Sequence, residues 1–230
     1  MENIYLSGEY VEKNPTFHVE DSPWKAQQIL KMVGRNTLRP SSICEIGCGA
    51  GEILKTLQPQ FPDGTRFSGY DISPQAFELC RAHENAHLHF FCQDLIATDT
   101  ATFDLLLCMD VFEHVEDYMG FLRKLKQKAT YKLFHIPLDM SVQTVLRSTP
   151  IVEARSRVGH LHYFSKETAL LTLQDTGYEI VDWFYTPAGT ERATTFGAKI
   201  AKLPRQVFSI VNADLAVRVL GGYSLLALAR

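Results

Sequence analysis

Residues 43–51, with the sequence Ile-Cys-Glu-Ile-Gly-Cys-Gly-Ala-Gly, strongly constrain what this chain can fold into. The apolar run contains Glu45 near its end and opens into glycines with the spacing GxGxG, at Gly47, Gly49 and Gly51. Because glycine lacks a Cβ and tolerates positive φ, the backbone can turn sharply there and present its N–H groups at the start of a helix. The pattern therefore predicts a strand, a tight turn and a helix, with a nucleotide-like ligand at the turn.

The residue after these glycines narrows the choice of ligand. A dinucleotide-binding turn has the spacing GxGxxG, and its third glycine lets the helix approach a pyrophosphate. In this chain that position is Glu52, whose carboxylate would repel a pyrophosphate. A cofactor without phosphates is favoured, and S-adenosyl-L-methionine fits that description. A nicotinamide-dependent oxidoreductase is the less favoured alternative, because no recognisable Tyr-Lys or His pair for hydride transfer is present.

Acidic residues also end or follow three later apolar runs. Asp71 ends the run 66–71, roughly twenty residues after the glycines, which is the spacing of a βαβ unit and suits an acceptor for ribose hydroxyls. Asp94 follows the next run and is placed to accept from an adenine amino group. Asp110 follows the run 104–109. Because ligands of parallel α/β sheets bind beyond the carboxyl ends of the strands, we expect these acids to line one binding edge.

Strand and helix patterns alternate along most of the chain. This alternation predicts a parallel sheet with right-handed connections and helices on both faces. The predicted strands are 42–47, 66–71, 88–92, 104–109, 131–136, 178–185 and 223–229, and the predicted helices are 23–33, 51–59, 74–84, 117–128 and 165–175.

The ordered set EIGCGAG, GYDIS, CQDL and FDLLLCMDVFEHVED resembles the motifs of the class I S-adenosylmethionine-dependent methyltransferases, over roughly residues 40 to 185. The resemblance implies an α/β, Rossmann-like sheet of seven strands, mostly parallel, with an antiparallel last strand. It also implies which residues contact the cofactor: Glu45, Gly47, Cys48, Gly49 and Gly51 at the methionine part, Asp71 and Ile72 at the ribose and adenine, Asp94 and Leu95 at the adenine edge, and Asp110 near the methionine amino group.

Length and composition predict a single domain with additions. A chain of 230 residues with 46% hydrophobic content can bury one sizeable core. We expect an N-terminal helical cap over residues 1–40 and a methyltransferase domain over residues 41–230. Pro150 and mixed polarity predict a helical insertion or lid near 140–160, and a second insertion is expected near 190–220.

Two histidines are candidates for acid–base chemistry. His114 follows the fourth strand by a few residues and is the better candidate for a base, although it could instead only bond to neighbouring backbone. His160 follows the lid and could serve as an acid–base or substrate-orienting group. The spacing His-x-His with His162 is a weak metal signal, so we expect ordinary polar packing and no metal. Cys48 lies in a glycine turn without a paired base and is expected to be passive.

Charge and missing motifs restrict the acceptor. The net charge is -3 and no local cluster of Lys and Arg compensates for it, which disfavours nucleic acid. No segment resembling Asn-Pro-Pro-Tyr and no Pro-Cys nucleophile points to methylation of a DNA base. The resemblance implies transfer to O, N or C of a small molecule, with a hydroxyl of a sugar, a lipid-linked compound or a secondary metabolite as first choice. The alternative is a catalytically silent scaffold or regulatory protein that binds S-adenosylmethionine.

Location is predicted from the termini and the cysteines. No basic region followed by an apolar core marks a signal peptide at Met1–Asn3. The apolar run near the C-terminus is short and interrupted by glycine, so no membrane span is expected. Five cysteines without a CxxC pair lie mainly in apolar strands, which favours reduced thiols and a cytoplasmic protein.

Overall fold

The computed structural model describes residues 11–12, 14–17, 19–98, 100–187 and 212–230. Within these ranges, seven strands form one sheet in the order β3-β2-β1-β4-β5-β7-β6. Strand β7 runs antiparallel to both of its neighbours, and the other strands run parallel to one another, which confirms the predicted fold class. The strands are β1 Ser42–Ile46, β2 Arg66–Asp71, β3 Leu88–Cys92, β4 Phe103–Met109, β5 Ala129–Pro137, β6 Ile180–Pro187 and β7 Tyr223–Ala229.

Helices cover both faces of the sheet. The α-helices are α1 Ser22–Arg35, α2 Glu52–Leu57, α3 Pro74–Cys80, α4 Leu95–Thr98, α5 Tyr118–Leu125, α6 Val142–Arg147, α7 Thr149–Glu153, α8 Lys166–Asp175 and α9 Ala213–Leu220. Helices α2 and α3 are shorter than predicted, because each continues as a single 3₁₀ turn, Gln58–Gln60 and Arg81–His83 respectively. Helix α4 was not predicted. No helix in the described part of the chain combines the length and apolar character needed to cross a membrane.

Helix α1 shares a hydrophobic core with the sheet. Pro23 in its first turn favours helix initiation. Ala26, Ile29 and Met32 are almost fully buried and belong to the same cluster as the buried residues of α2 and of strands β1 and β4. The opposite face of the sheet packs against α5 and α8. The helix predicted for the N-terminal cap therefore covers the sheet beside the glycine turn, while a boundary at residue 40 stays a prediction.

The insertion predicted near 140–160 is helical. It contains α6, α7 and a π-helical turn, Ala154–Val158, which ends at Gly159 with a φ of 83°. Helix α9 ends beside α6, and a Cβ on Gly221 would lie 2.5 Å from Ser141 Oγ. Of the insertion predicted near 190–220, residues 190–211 lie outside the described residues, and the rest includes helix α9.

Candidate active site

The glycine turn between β1 and α2 has the conformation that its sequence requires. Gly47, Gly49 and Gly51 have φ values of 67°, 52° and 76°. A Cβ on Gly51 would lie 2.5 Å from the Phe90 ring, and one on Gly47 would lie 2.8 Å from the side chain of Val111. Contacts this close are not tolerated without movement, so both backbone conformation and space restrict these positions to glycine.

Asp71, at the end of β2, holds this turn in place. Its Oδ2 accepts a hydrogen bond from the Gly49 N–H at 2.8 Å, and its Oδ1 accepts one from the Ser73 N–H at 2.8 Å. Burial raises the pKa of Asp71, and these backbone N–H groups oppose that rise. Each carboxylate oxygen has a second lone pair, which could accept from a ribose hydroxyl. The neighbouring Ile72, predicted to lie beside adenine, is 38% exposed.

Glu45 brings a buried carboxyl group to the same edge of the sheet. It is 1% exposed, and its Oε2 has no hydrogen-bond partner among the described residues. Burial raises the pKa of Glu45 to about 8; Lys25 opposes this rise and Asp71 adds to it. A buried acceptor without a partner is unfavourable, so the position is suited to a ligand that brings a cation or an N–H donor.

Asp110, directly after β4, connects three elements. It has a φ of 57°, which an aspartate tolerates better than most side chains. Its Oδ2 lies 2.6 Å from Lys25 Nζ, and its Oδ1 lies 2.6 Å from His135 Nδ1. The other ring nitrogen of His135 lies 2.9 Å from Thr186 Oγ1 on β6. Burial alone would raise the pKa of Asp110, but His135 and Lys25 outweigh it and hold that pKa well below its usual range.

Lys25 was missed by the sequence analysis. Burial lowers the pKa of this lysine, but Asp110, Glu45 and Glu113 together raise it above its ordinary value, so the ammonium stays charged. A signal was present in the sequence, since Lys25 is three residues after the buried Ser22 and four before the buried Ile29 and so falls on the apolar face of α1. A lysine on an apolar helix face needs a buried partner.

Glu113, His114 and His160 come together next to Asp110. Their candidate ligand atoms all lie within 4.8 Å of one another. Glu113 is fully buried, and burial together with Asp110 raises its pKa well above the ordinary value. Its backbone carbonyl accepts hydrogen bonds from the N–H groups of Leu161 and His162 at 2.8 and 3.1 Å. These bonds join the segment after the helical insertion to the turn that follows β4.

The two histidines of this cluster have different environments. His114 hydrogen-bonds to the backbone of Gly159, and burial, followed by repulsion from His160, lowers its pKa to about 4. His160 Nδ1 lies 2.7 Å from Asp139 Oδ2, and the rings of His160 and His114 are 4.9 Å apart. His162 has other neighbours, because its Nε2 lies 2.9 Å from the Val115 carbonyl oxygen. The imidazoles of His160 and His162 therefore have different hydrogen-bond partners.

The cluster offers the donor types of a metal site. Two imidazoles and one carboxylate are ligands that zinc takes in catalytic sites. Glu113, His114 and His160 are thus the residues that could hold an ion in the described part of the chain. No metal was expected from the sequence, because no motif connects His160 with Glu113, which is 47 positions away.

The remaining predicted cofactor residues lie at the periphery or in the core. Asp94 is exposed, and its Oδ1 accepts from the Ile96 and Ala97 N–H groups at the start of α4. The Leu95 side chain is fully buried in the core, so only the backbone of Leu95 could contact adenine. Cys48 is buried, and a hydrogen bond with the Cys80 thiol, followed by burial, raises its pKa well above the ordinary value.

Comparison with known proteins agrees with this geometry. Residues 22–182 match the family model described as a methyltransferase domain. Ubiquinone biosynthesis O-methyltransferase of Coxiella burnetii (strain Dugway 5J108-111) is 28% identical over 86 residues, which cover 35% of this chain and 36% of that protein. The match therefore spans about a third of that relative's length.

Two solved structures share the fold. Magnesium protoporphyrin IX methyltransferase (ChlM) from Synechocystis PCC 6803, with bound SAH, has a TM-score of 0.60 at 17% identity, covering 90% of this chain and 82% of its own. The N-methyltransferase NodS from Bradyrhizobium japonicum WM9, in complex with S-adenosyl-L-homocysteine, has a TM-score of 0.59 at 18% identity, covering 96% and 97%. The chain belongs to the methyltransferase family and has the fold of its class I, S-adenosylmethionine-dependent members.

Proposed function

We propose that this enzyme transfers a methyl group from S-adenosyl-L-methionine to a hydroxyl of a small molecule, such as a sugar, a lipid-linked compound or a secondary metabolite. One observation carries the proposal. The glycine turn and its acids, Glu45, Asp71 and Asp110, share an edge of the sheet with the imidazole pair of His114 and His160. This arrangement supports a cofactor site and an acceptor site side by side.

The residues at this edge fit the cofactor. Glu45 offers a buried oxygen without a partner, which suits the cationic methionine end. Lys25 is a partly buried cation, paired with Asp110 and acting on Glu45, that could also pair with the methionine carboxylate. The other cofactor residues that we propose are Gly47, Cys48, Gly49 and Gly51 through their backbone, Asp71 and Ile72 at the nucleoside, Asp94 and Leu95 at the adenine edge, and Asp110 near the amino group.

When bound, S-adenosylmethionine supplies a methyl group already activated on a sulfonium, so the protein chiefly has to align the acceptor and exclude water. A hydroxyl acceptor starts protonated and benefits from a base. Imidazole groups beside Asp110 supply candidates for that base, which supports oxygen as the methylated atom. The name of the Coxiella burnetii relative, an O-methyltransferase, agrees with this choice within the third of that protein that is matched.

The second candidate is a scaffold protein that binds the cofactor without transfer. Calorimetric titrations with S-adenosylmethionine, S-adenosylhomocysteine and NAD, followed by incubation with a panel of sugars, catechols and other hydroxylated compounds, separate the alternatives. Binding of the first two ligands and formation of S-adenosylhomocysteine with an acceptor would support the enzyme. Binding without turnover across the panel would favour the scaffold. Binding of NAD alone would overturn the proposal.

We also propose that the protein works in a reducing compartment, and hence in the cytoplasm. Its cysteines are all free thiols, although Cys48 and Cys80 are in hydrogen-bonding contact. Two thiols in such contact should stay unpaired where glutathione keeps cysteines reduced. Thiol quantification of protein isolated under acid quench would test this, since a Cys48–Cys80 disulfide in the native protein would argue against it.

A further inference from the structure

We infer that His160 is the base that takes the proton of the acceptor hydroxyl and that Asp139 is the positioning residue that directs it. The inference rests on the proposed function and deepens it. Asp139 Oδ2 lies 2.7 Å from His160 Nδ1. When Nδ1–H donates to a carboxylate, the ring is held in the tautomer whose Nε2 carries the lone pair. We call Asp139 and His160 the dyad. His160 Nε2 is available to a ligand, because no described residue is hydrogen-bonded to it.

The dyad is itself held rigidly by the lid. The Thr144 hydroxyl donates to the Asp139 carbonyl oxygen at 2.5 Å. On the other side, the His160 N–H donates to the Ala154 carbonyl at 3.3 Å, and the Tyr163 hydroxyl donates to the His160 carbonyl at 3.2 Å. Both partners are thus fixed through their own backbones, which is what alignment of a catalytic group requires.

His114 is less suited to the same task. It is the nearer histidine in sequence to β4, and it hydrogen-bonds to the backbone of Gly159. Glu113 Oε1 lies 3.8 Å from its Nε2, beyond hydrogen-bonding distance, whereas Asp139 Oδ2 lies 2.7 Å from His160 Nδ1. The His114 ring contacts His160 at 4.9 Å, so it can instead form one wall of the acceptor site.

The proton and electron balance is simple. As the acceptor oxygen forms its bond to the methyl carbon, the carbon–sulfur bond breaks and its electron pair stays on sulfur. The acceptor proton passes to His160 Nε2, and the imidazolium formed is stabilised by Asp139 before it returns the proton to solvent. The ionisable groups that face this imidazolium are Asp139, His114 and Glu113. Asp110 lies further away and acts on the charge of Glu113.

Diethyl pyrocarbonate is a probe that needs no knowledge of the acceptor, because it acylates the unprotonated nitrogen of histidine. Fragmentation mass spectrometry separates acylation at His160 from that at His162. We expect Asp139→Asn to slow acylation of His160 by on the order of tenfold, with Asp139→Glu recovering part of the rate. Acylation of His162 should stay unchanged, which provides the matched control. Equal rates at His160 in wild type and Asp139→Asn would overturn the inference.

Turnover gives the second readout, on the acceptor that the panel identifies. His160→Asn should lower kcat by about 10²- to 10⁴-fold, with the KM for S-adenosylmethionine unchanged. His162→Asn should keep kcat within about threefold. Failure of wild type to bind S-adenosylhomocysteine would reject the proposed function instead. Activity that disappears with a chelator and returns with a divalent ion would overturn the base assignment in favour of a metal at Glu113, His114 and His160.

Discussion

Glu45 should release a proton when the cofactor binds. Its pKa of about 8 in the free protein means that roughly 0.9 of the molecules carry the proton at pH 7, and roughly 0.1 at pH 9. A cationic group next to the carboxyl favours its ionised form, so binding expels that proton. Because the free group is protonated below pH 8 and the bound group is not, cofactor affinity should rise with pH up to about 8, by about tenfold per pH unit.

The variant Glu45→Gln removes this proton while preserving the shape of the side chain. Ionising the wild-type group at pH 7 costs about 1.4 kcal/mol, which offsets much of the roughly 1.5–3 kcal/mol gained from a charged hydrogen bond. The variant should therefore bind S-adenosylhomocysteine only up to about 1.6 kcal/mol more weakly at pH 7. The deficit should grow to the full 1.5–3 kcal/mol near pH 9, where wild type no longer needs to ionise.

Isothermal titration calorimetry in phosphate, HEPES and Tris measures the released protons, because the observed enthalpy varies with the ionisation enthalpy of the buffer. We expect about 0.9 protons more from wild type than from Glu45→Gln at pH 7, and about 0.1 more at pH 9. Equal proton release by the two proteins at pH 7 would refute the reasoning. It would mean that Glu45 is already ionised in the free protein, or stays protonated beside the ligand.

Further variants test the glycine turn and the acids separately. Gly51→Ala should cost about 2–5 kcal/mol of stability in urea unfolding, from a positive φ and a clash with the ring behind it, whereas Gly64→Ala, with a φ of 91° and open space, should cost about 1 kcal/mol. Asp71→Ala should weaken S-adenosylhomocysteine binding by about 1.5–3 kcal/mol, and unchanged affinity would exclude the ribose contact. Asp110→Asn should lose about 1.5–3 kcal/mol at pH 7, because the partly buried Lys25 loses the carboxylate that pairs with it directly. The pKa of Asp110 is lower in the folded protein than in the unfolded chain, so its stabilising contribution is complete above the ordinary pKa near 4 and is lost progressively below it. Between pH 5 and pH 2, the free energy of unfolding of Asp110→Asn should therefore fall less than that of wild type.

Elements with strong local signals were predicted well. The predicted strands 66–71 and 88–92 have the bounds of β2 and β3, because turn residues flank both runs and restrict where a strand can begin and end. The glycine turn was predicted from residue type alone, and the positive φ values confirm it. Helix ends were predicted less well, since the α-to-3₁₀ change at Gln58–Gln60 depends on Pro59 and on local packing.

Contacts between distant segments were not predictable from the sequence. Lys25 and Asp110 are separated by 85 positions. They pair because helix α1 packs on the face of the sheet that includes β4, and Asp110 directly follows β4. Asp139 was overlooked because it belongs to no recognised motif. Its contact with His160 forms because the two residues lie at opposite ends of the helical insertion. Residue type can predict that a buried lysine has a partner, but only the packing of elements identifies which one.

The two halves of the site therefore depend on different parts of the chain. The groups proposed for the cofactor lie at the carboxyl ends of β1, β2 and β4, whose positions are fixed by parallel pairing in the middle of the sheet. The groups proposed for the acceptor proton, Asp139 and His160, flank the helical insertion, whose exposed side chains carry little of the core. Changes in this insertion should thus alter the acceptor without disturbing the strands of the sheet. For this reason, the motifs that identify the family say little about its substrate, and Asp139 and His160 are the residues from which the search for the acceptor should begin.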